Sequence, residues 1–182
     1  MNIPNQLTLL RILLIPVFVL VFYLPYEWNN LVACVIFTLA GITDVLDGYL
    51  ARKLNQTSSL GAFLDPVADK LMVAVALVLL VQQNPDIYLT LAAAVIIGRE
   101  ITVSALREWM AEIGARSKVA VSILGKLKTM AQMFALGFLI FEKSVLGLPV
   151  YEIGLVLLYI AAFLTIISMF QYLLAAWPKL KE

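Results

Sequence analysis

Four of the five aspartates in this 182-residue sequence fall in one stretch, DVLDGYLARKLNQTSSLGAFLDPVAD, residues 44–69. Asp44 and Asp47 are spaced i,i+3, and Asp65 and Asp69 are spaced i,i+4. On helices each spacing puts both carboxylates on one face, a turn apart. Four carboxylates brought together from two helix ends repel one another unless cations lie between them. An all-oxygen donor set suits a hard divalent ion such as magnesium or manganese. Gly48, Ala51 and Gly61 lie between the pairs and let a bulky ligand or another helix come close. Arg52 adds a fixed positive charge suited to phosphate. As plain structure, the aspartates would be solvated at an interface or paired with Arg52 and Lys70. Pairing alone leaves too many negative charges, so metal plus phosphate is the first functional reading.

The elements that must position these groups are apolar. Hydrophobic residues make up 63% of the chain and the mean hydropathy is +0.97, which marks an integral membrane protein rather than a soluble domain. The expected fold is all-α, a single domain over 1–182, with six transmembrane helices preceded by a short N-terminal interfacial helix. Residues 1–10 lack the pattern of a secretory signal and suit that interfacial helix or the start of the first span. The apolar run after Arg11 is short for a crossing of roughly 20 residues, so the first span borrows from Leu7 onward. That places Thr8 and Arg11 near one membrane surface, where Asn5, Thr8 and Arg11 either border a nucleotide site or anchor the helix.

Later spans are expected over 31–50, 60–82, 87–109, 119–141 and 150–177, with Pro66 in the first turn of its helix. The aspartates then sit at the far end of the second span and the near end of the third. Every lysine and arginine except Lys143 falls toward the face carrying them, which the positive-inside rule makes cytoplasmic, together with both termini.

Composition also excludes chemistry. With no histidine, His-dependent lipases, His-ligated zinc enzymes and His-based phosphatidyl transfer are ruled out, leaving acid–base work to carboxylates, lysine or water. The lone Cys34 forms neither an internal disulfide nor a thiolate metal site. A net charge of +1 gives no electrostatic reason to bind nucleic acid.

A second polar group lies on the fourth span: Arg99, Glu100, Ser104, Arg107 and Glu108. Arg99 and Arg107 fall within about 80° of each other on a helix, with Ser104 between them. Ion pairing with the two glutamates is the structural reading. A basic pocket for an anionic acceptor is the functional one, and the depth of Arg99 favours it. On the fifth span Ser122, Lys126 and Thr129 share a face, whereas Lys128 points about 200° from Lys126. Lys126 is therefore expected in the pocket and Lys128 at the headgroups.

The pattern D-x-x-D-G-x-x-A-R, eight residues, then G-x-x-x-D-x-x-x-D resembles the signature of the CDP-alcohol phosphotransferase family, and every fixed position matches. The resemblance implies a two-metal site on Asp44, Asp47, Asp65 and Asp69, with Asp69 also the base. It implies displacement at the β-phosphate of a CDP-linked alcohol by an acceptor hydroxyl, releasing CMP. PNQLTLLR, FLDPVADK, GREITVSALREWM and GKLKTMAQM extend the likeness along nearly the whole chain, toward members that use CDP-diacylglycerol and sn-glycerol 3-phosphate. Gly48, Ala51, Arg52, Gly61, Asn5 and Thr8 would then border the donor, and Arg99, Ser104, Arg107 and Lys126 the acceptor phosphate. The resemblance further implies a homodimer in the bacterial inner membrane, among membrane lipid. Other acceptors, such as inositol phosphate or phosphatidylglycerol, are the alternatives within the family. A cation transporter is the alternative outside it; the absence of an inverted repeat and the interfacial aspartates argue against that.

Overall fold

Long apolar runs punctuated by short polar turns let each segment satisfy its own backbone hydrogen bonds by coiling into a helix, as a lipid surround requires. The computed structural model describes residues 3–53, 59–114 and 123–180. Every named element among them is a helix: α1 (Ile3–Phe22), α2 (Asn29–Lys53), α3 (Ser59–Gln83), α4 (Ile87–Glu112), α5 (Ile123–Phe141) and α6 (Val150–Leu180).

Local chemistry accounts for several boundaries. Asp86 caps α4, its carboxylate accepting from the backbone N–H of Tyr88 and Leu89 at 2.9 Å each. Gly114 ends the same helix with φ +71°, a conformation glycine adopts without a Cβ penalty. Asn29 donates to the carbonyls of Phe22 and Leu24, closing the turn between α1 and α2. At this end of the bundle Glu142 accepts from Asn30 and Gln83, and Tyr26 stacks on Trp28 with ring centroids 5.1 Å apart.

Two expectations are corrected. Among the described residues no separate N-terminal helix precedes the first long one: residues 3–22 run as one helix, which fits the alternative reading of residues 1–10 as a helix start. Pro4 lies in its first turn, where the missing N–H costs nothing, and no turn-forming residue interrupts the chain before Arg11. Pro66 does not sit in a first turn either. α3 begins at Ser59, so Pro66 lies two turns inside it and frees the carbonyl one turn earlier.

The main apolar core gathers Phe18, Phe37, Leu77, Leu80, Ile96 and Leu136 from α1 to α5 and closes on α6 through Leu158. A smaller cluster, Val103, Met110, Tyr172 and Ala176, joins α4 to α6. The outer surface is apolar too, with Leu13, Val45, Phe63, Val78, Ile101 and Leu174 all exposed. Large aliphatic and aromatic side chains displayed on every side suit a lipid surround. Among the described residues, four stretches are long and apolar enough to cross a membrane: Asn5–Phe22, Asn29–Leu50, Ile87–Glu112 and Val150–Trp177. α5 contributes the shorter apolar stretch Leu127–Phe141, and α3 carries Asp65, Asp69 and Lys70 in its first half.

α5 and α6 pack most closely around Gly154, where an added Cβ would meet Leu139 at 3.0 Å, Phe138 at 3.1 Å and the Ala135 carbonyl at 3.2 Å. At Gly137 on the same helix pair an added Cβ would meet nothing within 4 Å. Gly154→Leu is therefore expected to destabilise the fold by about 1–3 kcal/mol through overpacking. Gly137→Ala is expected to be neutral or to gain up to about 1 kcal/mol from helix propensity. Unfolding midpoints in detergent check both.

Candidate functional site

Antiparallel neighbours bring the C-terminal end of α2, the N-terminal half of α3 and the N-terminal half of α1 to the same end of the bundle, and α1 packs against both others. Asp44 and Asp47 arrive from α2, and Asp65 and Asp69 from α3. The structure brings all four together around one guanidinium. Arg11 donates from Nη1 to Asp44 at 2.9 Å, to Asp65 at 3.4 Å and to Asp69, and from Nη2 to Asp47. Thr8, one turn before Arg11, donates to Asp47 at 3.2 Å. Arg11 is 1% exposed, and its Nε has no hydrogen-bond partner. The side chain of Asp47 is sealed in with it. Those of Asp44, Asp65 and Asp69 remain 39%, 42% and 44% exposed, so three carboxylates stay accessible to an incoming ligand.

The donor set fits a hard divalent cation. Asp44, Asp47 and Asp65 each offer an oxygen, and the three lie within 4.8 Å of one another. Asp69 joins the group through the shared guanidinium. One guanidinium offsets only part of the charge that four ionised carboxylates would carry, which leaves a divalent ion something to neutralise. Beside Asp47, an added Cβ at Gly48 would meet nothing within 4 Å, so the helix surface there is open. Asn5 is buried in the same first turns of α1, and Gly61 is half-buried near the start of α3. Ala51 and Arg52 belong to α2, and their side chains lie outside the described residues.

A second polar layer adjoins the first. Lys70, the residue after Asp69, donates from Nζ to Ser104 Oγ on α4. Arg99 donates to Glu100 at 3.1 Å and to Ser168 of α6 at 3.0 Å, and it lies 5.5 Å from the centroid of the Tyr172 ring. Lys128 of α5 donates to the other side of this layer, at Glu100 Oε1. Gln132, a turn beyond Lys128, and Thr165 on α6 are buried with side-chain oxygens that lack a partner. Thus α3, α4, α5 and α6 are tied by charged groups at the end that carries the aspartates.

Arg99 and Ser104 lie in this layer, whereas Arg107 is exposed. The Lys126 side chain lies outside the described residues, as do Arg116, Lys118 and Ser122. One placement is overturned: Lys128 is 2% exposed and bonded to Glu100, not at the headgroups. Burial is tolerated there because the ammonium has an ionised partner. The 200° separation from Lys126 is a true helical angle, but it does not say which of the two faces packs inward. Lys128 and Gln132, spaced i,i+4, mark the face that packs inward, and Gln132 one turn into the apolar half of α5 is the signal that favours it over the face of Lys126. Arg11 was legible only as a border or anchor residue. Its i,i+3 spacing from Thr8 marks the polar face, but its contacts with four distant aspartates depend on the tertiary fold.

With this geometry in place, comparison with known proteins gives a consistent result. The family model for CDP-alcohol phosphatidyltransferase matches residues 1–167. A Pseudomonas fluorescens protein named CDP-diacylglycerol–glycerol-3-phosphate 3-phosphatidyltransferase is 58% identical over 182 residues, covering 100% of this chain and 93% of its own. Proteins of the same name from Yersinia pestis (strain Pestoides F) and Sodalis glossinidius are each 57% identical, again over 100% of this chain and 98% of theirs. A match of this extent, carried on a signature whose aspartates converge in space, shows that the chain belongs to the CDP-alcohol phosphatidyltransferase family.

Proposed function

We propose that this protein transfers the phosphatidyl group of CDP-diacylglycerol to a hydroxyl of sn-glycerol 3-phosphate, giving phosphatidylglycerophosphate and CMP. The observation that carries the reading is the convergence of Asp44, Asp47, Asp65 and Asp69 beside a buried basic layer, in a chain whose full-length relatives bear that enzyme's name. Asp44, Asp47, Asp65 and Asp69 would hold two divalent ions, magnesium or manganese. Bound there, the ions supply charge neutralisation for the diphosphate and its leaving group.

The protein's own groups then account for orientation and proton transfer. The acceptor hydroxyl oxygen forms a bond to the β-phosphorus while the bond from that phosphorus to the CMP oxygen breaks, and the hydroxyl proton passes to Asp69. A carboxylate is a weak base for an alcohol, which is tolerable when the transition state is loose and the proton leaves late. Gly48, Ala51 and Gly61 give the nucleotide room against the helices, Arg52 steadies the donor phosphate, and Asn5 and Thr8 border it from α1.

On the acceptor side, Arg99, Ser104, Arg107 and Lys126 are assigned to the phosphate of glycerol 3-phosphate. Lys70 and Lys128 are added because their contacts with Ser104 and Glu100 place them in the same layer. A neutral acceptor would need no such layer. All six helices are assigned as spans in the bacterial inner membrane, with both termini and the site on the cytoplasmic side, where soluble glycerol 3-phosphate arrives. The functional unit is assigned as a homodimer.

CMP release from CDP-diacylglycerol by purified protein in detergent tests the reading. Turnover is expected with glycerol 3-phosphate and not with glycerol, and it should stop when a chelator removes the metal. Turnover only with inositol phosphate or phosphatidylglycerol would reassign the acceptor. No CMP release with any of them would refute the transferase reading and favour transport. Asp69→Asn is expected to lower kcat by about 10²–10⁴-fold, the usual contribution of a positioned proton acceptor. Arg99→Gln is expected to raise KM for glycerol 3-phosphate by about 10- to 100-fold, as loss of a charge-assisted contact of about 1.5–3 kcal/mol implies. It should leave KM for CDP-diacylglycerol nearly unchanged.

A further inference from the structure

One side chain of this protein touches all four aspartates, and it belongs to neither half of the signature. The two terminal nitrogens of Arg11 are shared among Asp44, Asp47, Asp65 and Asp69, and the guanidinium is buried at their centre. Asp44, Asp47 and Asp65 present oxygens within 4.8 Å of one another, and all three carboxylates also accept a hydrogen bond from Arg11. A divalent ion and a guanidinium drawing on the same carboxylates would compete for them, because two cations held side by side repel each other.

We propose that Arg11 is a resident counter-cation of the acidic site, holding the four carboxylates together when no metal is bound and giving up its place when metal enters. The inference rests on the metal-site reading above and deepens it. Its physical basis is electrostatic. Four carboxylates gathered at a membrane interface would force α2 and α3 apart in the metal-free protein. One guanidinium, carried on α1 and steadied by Thr8 on Asp47, relieves that repulsion while leaving excess negative charge to attract a divalent ion. The contrary arrangement is a permanent support, in which Arg11 fixes the ligands in place and metal binds with its help. The two arrangements make opposite predictions for metal affinity.

The test uses full-length protein in detergent, stripped with chelator and then titrated with Mn²⁺. Bound and free ion are followed by electron paramagnetic resonance, and unfolding midpoints are taken with and without Mn²⁺. Arg11→Gln is expected to lower the metal-free midpoint, to enlarge the rise produced by Mn²⁺, and to tighten Mn²⁺ binding by about fivefold or more, the lower end of typical coupling between linked events. Equal or weaker Mn²⁺ binding by Arg11→Gln would overturn the inference. If Arg11→Gln does not fold, Arg11→Lys decides instead. It keeps the charge but reaches fewer carboxylates, so it should bind Mn²⁺ more tightly than wild type, and equal or weaker binding again overturns the inference. Failure of the wild-type protein to bind Mn²⁺ would overturn the metal-site reading itself, and this inference with it.

Discussion

Negative charge concentrated at one end of the helix bundle is the constraint on which the rest of this structure depends. The site needs several carboxylates within a few ångströms of one another, and α2 and α3 deliver them from sequence positions separated by a polar connection. Such a cluster holds together only with positive charge inside it. α1 supplies that charge through Arg11, and it packs against both aspartate-bearing helices through Phe18 and Phe22 of the apolar core as well. Asn5 and Thr8 near the start of α1 are buried too, and Thr8 donates a hydrogen bond to Asp47.

The basic layer on α4, α5 and α6 follows a related logic. Arg99 and Lys128 are buried beside Glu100, a carboxylate that balances them, so these cations can be held deep in the bundle. Lys70 links the two layers, being the next residue after Asp69 in the chain and donating a hydrogen bond to Ser104 of α4. The rigid apolar core built on Phe37, Leu80, Leu136 and Leu158 lies toward the opposite end of the bundle and holds the helices at fixed separations.

Much of this was legible in the sequence because the chemistry is local. The two aspartate pairs advertise themselves by spacing, and long apolar runs with Asp86 or Gly114 at their borders delimit helices. Tertiary choices were less legible. Nothing within residues 1–22 requires a break after the N-terminal polar residues, yet their mixed composition suggested an interfacial helix; the structure forms one continuous α1. The position of Lys128 could not follow from its angle to Lys126, because an angle fixes relative and not absolute orientation. Arg11 reads as an anchor next to an apolar run, and only the packing of α1 on α2 and α3 reveals four partners between 33 and 58 residues away.

The central claim, that the four aspartates form a divalent metal site on which the donor diphosphate is held, is tested most directly by a structure of the protein with Mn²⁺ and CDP-diacylglycerol, using anomalous scattering to locate manganese. The account predicts two anomalous peaks coordinated by Asp44, Asp47, Asp65 and Asp69, with the diphosphate against them and the nucleotide over Gly48. Manganese bound elsewhere, or a diphosphate held without any ion among these carboxylates, would contradict it.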